Sequence, residues 1–213
     1  MRKFFLGLMF CLCAPWAAAG TVTIAALGDS LTQGYGLLSE QGFVPQLEVW
    51  LAAQGADVAL INAGVSGDTT AGGAARVGWT LSEDVDAMIV TLGGNDLLRG
   101  LAPEVTRANL ETILQEAEKA GVPVLLIGMQ APGNYGPAYK AAFDAIYPEL
   151  AAAHGTLYAE SFFAGLEGLR DDPGAMNRYM QPDGIHPSAE GVRKIVAALG
   201  PKVLELVARA EGG

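Results

Sequence analysis

Ser30, Asn95, Asp183 and His186 are the residues of this chain whose types and settings could support nucleophilic chemistry. Ser30 stands in Gly28-Asp29-Ser30-Leu31, directly after the apolar run Val22 to Leu27. That run reads as a buried parallel strand, which puts Ser30 at the strand's C-terminal end, where ligands collect in open α/β sheets. A serine hydroxyl becomes a useful nucleophile at neutral pH only beside a base, and histidine is the usual one. The chain has 2 histidines. His154 ends a helical run just before Gly155, and capping a helix C-terminus is its simpler reading. His186 lies three residues after Asp183, in Asp183-Gly184-Ile185-His186-Pro187. That spacing lets the carboxylate fold back onto one ring nitrogen and leaves the other facing the serine. Alone, these residues also make an ordinary turn ahead of a helix. With Ser30 and Asn95 in the same chain, the chemical reading prevails.

Asn95 belongs to Gly93-Gly94-Asn95-Asp96, after an apolar run that ends at Leu92. The glycines let backbone approach a bound group, and the carboxamide NH2 can donate to a developing oxyanion. Asp96 is expected to cap the helix that follows. A glycine N–H in Asn62-Ala63-Gly64-Val65-Ser66-Gly67-Asp68 is a further donor candidate for the same crevice. Ser66 is a decoy, because Asp68 stands where a Gly-x-Ser-x-Gly elbow needs its last glycine. There is no HExxH, no cysteine pair with ligand spacing, and no phosphate-binding glycine loop after the first strand. Neither a metal nor a cofactor is expected.

These residues need a scaffold that brings strand ends together. Val22–Leu27, Val58–Ile61, Ala87–Leu92 and Val122–Ile127 read as strands, with a weaker fifth at Leu157–Ala159. They are near-continuous apolar runs, as expected for a parallel sheet covered on both faces. Helices are predicted between them: Phe43–Gln54, Thr70–Trp79, Pro103–Ala120, Ala138–Ala153, and a last one from Ser188 that Gly200-Pro201 should kink. The alternation predicts a three-layer α/β/α sandwich with a mostly parallel five-stranded sheet. Two segments rich in Gly, Pro, Asn and Asp, Met129 to Pro137 and Ser161 to Pro182, read as loops at the functional end of the sheet.

Residues 1–19 read as a signal peptide: Arg2 and Lys3, then the apolar stretch Phe4 to Ala14, then Ala17-Ala18-Ala19 as the cleavage site. Residues 20–213 then form one domain. Both cysteines, Cys11 and Cys13, fall in the leader, so a mature chain would rely on its core rather than on disulfides. Cleavage leaves 11 basic against 23 acidic residues, a net charge of −12. No basic stripe is present, which excludes nucleic acid as a partner. The expectation is an exported, periplasmic or secreted monomer that does not insert stably in a membrane.

The motifs carry a family resemblance. GDSLTQGYG (28–36), SGDT (66–69), GGND (93–96) and DGIHP (183–187) resemble, in order, the blocks of the SGNH (GDSL) hydrolase superfamily. INAGVSGDTTAGG, LGGNDLLRG and NYGPAYKAAFDAIYP are similar to its periplasmic thioesterase/protease/lysophospholipase (arylesterase) branch. One departure is visible, GDSLT where that branch's enteric member has a second serine. The resemblance implies a flavodoxin-like fold, Ser30 as nucleophile, His186 as general base and Asp183 as its orienting partner. It also implies an oxyanion hole of the Ser30 N–H, the Gly67 N–H and the Asn95 side chain. The activity it implies is hydrolysis of carboxylic esters, namely aryl and acyl esters, lysophospholipids or acyl thioesters. The alternatives are a carbohydrate acetylesterase on the same scaffold or a non-catalytic acyl-lipid-binding protein. In the loop after the fourth strand, Met129, Ala131, Pro132 and Tyr135 are expected to offer apolar surface to an acyl chain.

Overall fold

A computed structural model describes residues 20–169 and 172–212, so the expected signal peptide lies outside the described residues. Five strands form one sheet: β1 (Val22–Gly28), β2 (Val58–Gly64), β3 (Ala87–Thr91), β4 (Val124–Ile127) and β5 (Leu157–Ala159). Every pairing is parallel, in the order β2-β1-β3-β4-β5. The chain first steps from β1 to β2, then returns across β1 to β3. The crevice between the carboxyl ends of β1 and β3 is therefore the topological switch point, the position where ligands bind in such sheets.

The helices are α1 (Ser30–Gln33), α2 (Phe43–Ala53), α3 (Thr70–Thr80), α4 (Gly94–Leu98), α5 (Pro103–Ala120), α6 (Pro137–Asp144), α7 (Ile146–His154), α8 (Pro173–Tyr179) and α9 (Ala189–Glu211). α2 packs on α9, while α3, α5 and α7 pack side by side, which makes the layers outside the sheet. α5 has the predicted bounds. Pro103 occupies its first turn and Gly121 ends it in a left-handed conformation, while Leu110, Ile113, Leu114 and Ala117 are buried. β1, β3 and β4 are buried almost throughout, as their unbroken apolar sequences require.

Three expectations need correction. β2 has a neighbour on one side only, and its residues are half-buried, with Ile61 and Asn62 exposed, rather than covered on both faces. The predicted helix Ala138–Ala153 is two helices that meet at Ala145. Pro148 cannot donate to the carbonyl four residues back, which removes one of the hydrogen bonds that would join the two helices. The last helix, α9, begins after Ser188 and holds Pro201 inside it, as the sequence predicts. The second proposed loop is partly helical, since it holds a 3-10 turn at Ala164–Leu169 and then α8.

Asp96 also differs from expectation. It is fully buried and reaches away from α4, accepting from the Thr70 amide (2.9 Å) and hydroxyl (2.5 Å) and from the Thr106 hydroxyl (3.1 Å). The carboxylate thus joins the starts of α3 and α5 to the loop that carries Asn95. A buried carboxylate with three donors is satisfied, whereas removing it would strand two hydroxyls and an amide in the interior.

Candidate active site

Ser30 is the first residue of α1, immediately beyond β1, and Asp29 caps that helix by accepting from the Leu31 amide at 3.0 Å. From a loop 156 residues further along the chain, His186 Nε2 lies 2.8 Å from Ser30 Oγ. His186 Nδ1 lies 2.7 Å from Asp183 Oδ2. The other oxygen of Asp183 accepts from the amides of Ile185 (2.9 Å) and His186 (3.0 Å), a tight turn that aims the carboxylate. The hydrogen bond to His186 holds the Asp183 carboxyl down at about 2, with the two amides adding to the effect. An ionised carboxylate on Nδ1 leaves Nε2 free to accept the serine proton.

The loop that carries His186 is itself anchored. Met180 and Pro187 form an antiparallel bridge, and the Gln181 amide donates to the His186 carbonyl at 2.7 Å. The Gln181 side chain donates to the carbonyls of Tyr35 (2.8 Å) and Pro187 (3.1 Å), which ties the base's loop to the serine's. The Tyr35 ring packs against the imidazole, with centroids 4.7 Å apart.

Two further groups face the crevice. Asn95, in the first turn of α4, donates from Nδ2 to Asp29 Oδ2 at 3.2 Å. Asp29 is 1% exposed, and burial pushes its carboxyl up to about 6 despite the hydrogen bonds from Leu31 and Asn95. Gly67 has φ +81°, a conformation that favours glycine, and its carbonyl accepts from Arg99 at 2.9 Å. Beneath it, the Arg76 guanidinium donates to the Gly28 and Ala63 carbonyls and to Asp68. That residue clamps the ends of β1 and β2 to the Gly67 turn. Gly93 shows why the GGND segment begins with glycine. Its φ is +111°, and a Cβ there would lie 2.1 Å from the Tyr147 hydroxyl.

Ser30, Gly67, Asn95 and His186 line one cavity of about 440 Å³. Leu31, Leu97, Leu98, Phe163 and Ile185 form apolar wall around it. Of the four residues expected to offer apolar surface to an acyl chain, Met129, Pro132 and Tyr135 line the cavity. Ala131 does not. It is buried, its amide donates to Asp144 and its carbonyl accepts from Lys140, so it anchors the loop instead of facing the cavity. His154 lies far from this cavity, in the last turn of α7, with Nδ1 3.6 Å from Glu118. Ser66 lines the rim, and its hydroxyl donates to the Gln33 side chain rather than to a base.

Sequence reasoning missed Gln181, Arg76, Phe163 and Ile185. Ile185 lies inside the quoted DGIHP block, and its place between Asp183 and His186 was the available signal. Gln181 and Arg76 act through long-range contacts to carbonyls, for which a single sequence carries no pattern.

Residues 26–194 match the GDSL-like lipase/acylhydrolase family. The chain belongs to that family. It is similar to esterase TesA of Pseudomonas aeruginosa, with 38% identity over 208 residues, 97% of this chain and 100% of the relative. Thioesterase 1/protease 1/lysophospholipase L1 of Escherichia coli K12 is 34% identical over 190 residues, 88% of this chain and 86% of the relative. The crystal structure of AlinE4, an SGNH-hydrolase family esterase, superposes with a TM-score of 0.71 at 41% identity, covering 89% of this chain and 98% of that one. The α/β sandwich and the esterase class expected from the sequence therefore hold. For a GDSL-family esterase, the cavity places a hydroxyl, an imidazole and several donors around a space wide enough for an acyl group.

Proposed function

We propose that the chain hydrolyses carboxylic esters through a Ser30–His186–Asp183 triad and an acyl-enzyme. The observation that carries this reading is the continuous relay from Ser30 Oγ to His186 Nε2 (2.8 Å) and from Nδ1 to Asp183 (2.7 Å). Ser30 Oγ attacks the acyl carbonyl carbon while His186 Nε2 takes the hydroxyl proton. The carbonyl oxygen becomes an oxyanion, held by the amides of Ser30 and Gly67 and by Asn95 Nδ2. The tetrahedral species collapses, His186 protonates the departing alkoxide or thiolate, and the acyl group remains on Ser30. Water then attacks the acyl-enzyme with His186 as base, and the acid leaves.

The substrate reading follows from the lining. Leu97, Leu98, Met129, Phe163 and Ile185 suit a hydrocarbon chain, which favours aryl esters, acyl esters, lysophospholipids and acyl thioesters. Neither Trp50 nor Trp79 lines the cavity, so neither tryptophan serves the carbohydrate acetylesterase alternative as a stacking platform there. Among the described residues no helix is long and apolar enough to cross a membrane. We place the working chain, 20–213, outside the cytoplasm after removal of residues 1–19.

A chain-length series of p-nitrophenyl esters, assayed beside lysophosphatidylcholine and an acetylated sugar, tests this reading. Turnover of the esters and the lysophospholipid, lost in Ser30→Ala, supports it. Activity confined to the acetylated sugar, or unchanged in Ser30→Ala, contradicts it.

A further inference from the structure

Asp29 is a buried carboxylate that the proposed chemistry leaves without a task. It stands next to Ser30 in sequence, yet its hydrogen bonds go to other residues. One oxygen accepts from the Leu31 amide, and the other accepts from Asn95 Nδ2 at 3.2 Å across the gap between β1 and β3. Capping a four-residue helix does not require this residue type, since serine or threonine can also accept from a backbone amide. A buried carboxylate is a costly substitute. Its second contact is the distinctive one.

The Asn95 carboxamide has two edges of nearly the same shape but opposite polarity. With the NH2 toward the cavity it can donate to an oxyanion; with the carbonyl there it would repel one. An ionised carboxylate can only accept, so the edge against Asp29 Oδ2 must be the NH2. One N–H is used on Asp29, and the second remains for the cavity, which Asn95 lines together with Ser30 and Gly67. We propose that Asp29 is a positioning residue that locks the Asn95 carboxamide in its donating orientation. This inference rests on the oxyanion role proposed above for Asn95.

The lock requires an acceptor. A protonated Asp29 could donate to the Asn95 carbonyl and would then tolerate the reversed amide. Burial raises this carboxyl to about 6, so the change of state falls within an accessible range. The titratable groups that face Asp29 are His186, from the DGIHP loop, Asp68, from the turn after β2, and Tyr147, from α7. Because His186 faces Asp29, the same pH series in the Asn95→Ala background, where no carboxamide remains to be reversed, separates the effect of the Asp29 charge on His186 from the lock.

A double-mutant cycle tests the proposal: kcat and KM for p-nitrophenyl acetate in the parent, Asp29→Ser, Asn95→Ala and the double variant. Serine keeps an acceptor for the Leu31 amide but is too short to engage Asn95. Asp29→Ser should lower kcat about 10- to 100-fold with KM within about twofold, because oxyanion donors act on the transition state. In the Asn95→Ala background the same change should cost less than about threefold, since two residues acting as one unit are not additive. The parent-to-Asp29→Ser ratio of kcat should also shrink as pH falls from about 8 to about 5, as the lock weakens in the parent. Equal losses in both backgrounds, or a ratio that does not change with pH, would overturn the proposal. An Asn95→Ala variant with unchanged kcat would instead overturn the oxyanion role beneath it. Should Asp29→Ser fail to fold by circular dichroism, Asp29→Asn, which keeps the shape, replaces it in the cycle with the same expected pattern.

Discussion

At the scale of single residues, the two histidines make the sharpest contrast. His186 bridges Ser30 and Asp183, while His154 sits at a helix C-terminus beside Glu118. Replacement of His186 by alanine should lower kcat by about 10³-fold or more, as should Ser30→Ala, because each removes a member of the proposed triad. His154→Ala should leave kcat and KM near parent values. Steady-state kinetics on p-nitrophenyl butyrate would check both, and a reversal of the two results would break the Asp183–His186 assignment. Asn95→Ala should lower kcat by about 10²–10³ with a smaller change in KM, the pattern of a donor that matters most once the oxyanion forms. The meeting of these residues in one cavity was legible in the sequence because each follows a strand or turn signal. Gln181 was not legible. Its value lies in meeting the Tyr35 carbonyl 146 positions away, and nothing local to Gln181 encodes that contact.

At the scale of elements, the parallel strands were readable from unbroken apolar runs, and α5 from its Pro103 start and Gly121 stop. The break in Ala138–Ala153 was not legible because the apolar periodicity continues across it, whereas Pro148 removes one of the hydrogen bonds that would join the two helices. In the Met129 to Pro137 loop, the residues that line the cavity are Met129, Pro132 and Tyr135, without Ala131. Periodicity could not separate them, since irregular backbone has no fixed side-chain alternation. Each methylene of an acyl chain buried against this wall should contribute about 0.8 kcal/mol, roughly fourfold in kcat/KM per carbon. Substitution of Tyr135 or Pro132 by a smaller residue should therefore shift the preferred ester length while sparing acetyl esters. A uniform fall across p-nitrophenyl esters from two to twelve carbons would show that this loop does not line the acyl site.

At the scale of the whole molecule, the site's carboxylates tie activity to stability in opposite senses. Asp183 has its folded carboxyl lowered to about 2 from 3.8, so its contribution is present above about pH 4 and fades as pH falls toward 2. Asp29 is raised to about 6 from 3.8; the fold therefore favours its protonated form, and its ionisation costs stability as pH rises from about 4 to 6. That cost is at most roughly 3 kcal/mol, since a tenfold change in an ionisation constant is worth about 1.36 kcal/mol. A carboxamide at this position cannot titrate. The Tm of Asp29→Asn minus that of the parent should rise by several degrees between about pH 4 and pH 7. A difference that stays flat across that interval would mean that Asp29 is not buried as a carboxylate. The net charge of −10 for the full sequence, more negative still without residues 1–19, favours uncharged or zwitterionic substrates over anionic ones.

Acylation of Ser30 during turnover is the central claim. Mass spectrometry of the protein, acid-quenched within the first turnovers of a p-nitrophenyl ester and digested, tests it directly. The predicted result is a mass increase equal to the acyl group, confined to the peptide that contains Ser30, and absent in Ser30→Ala. An adduct on the peptide containing Ser66, or rapid turnover with no acylated peptide at any time, would contradict it.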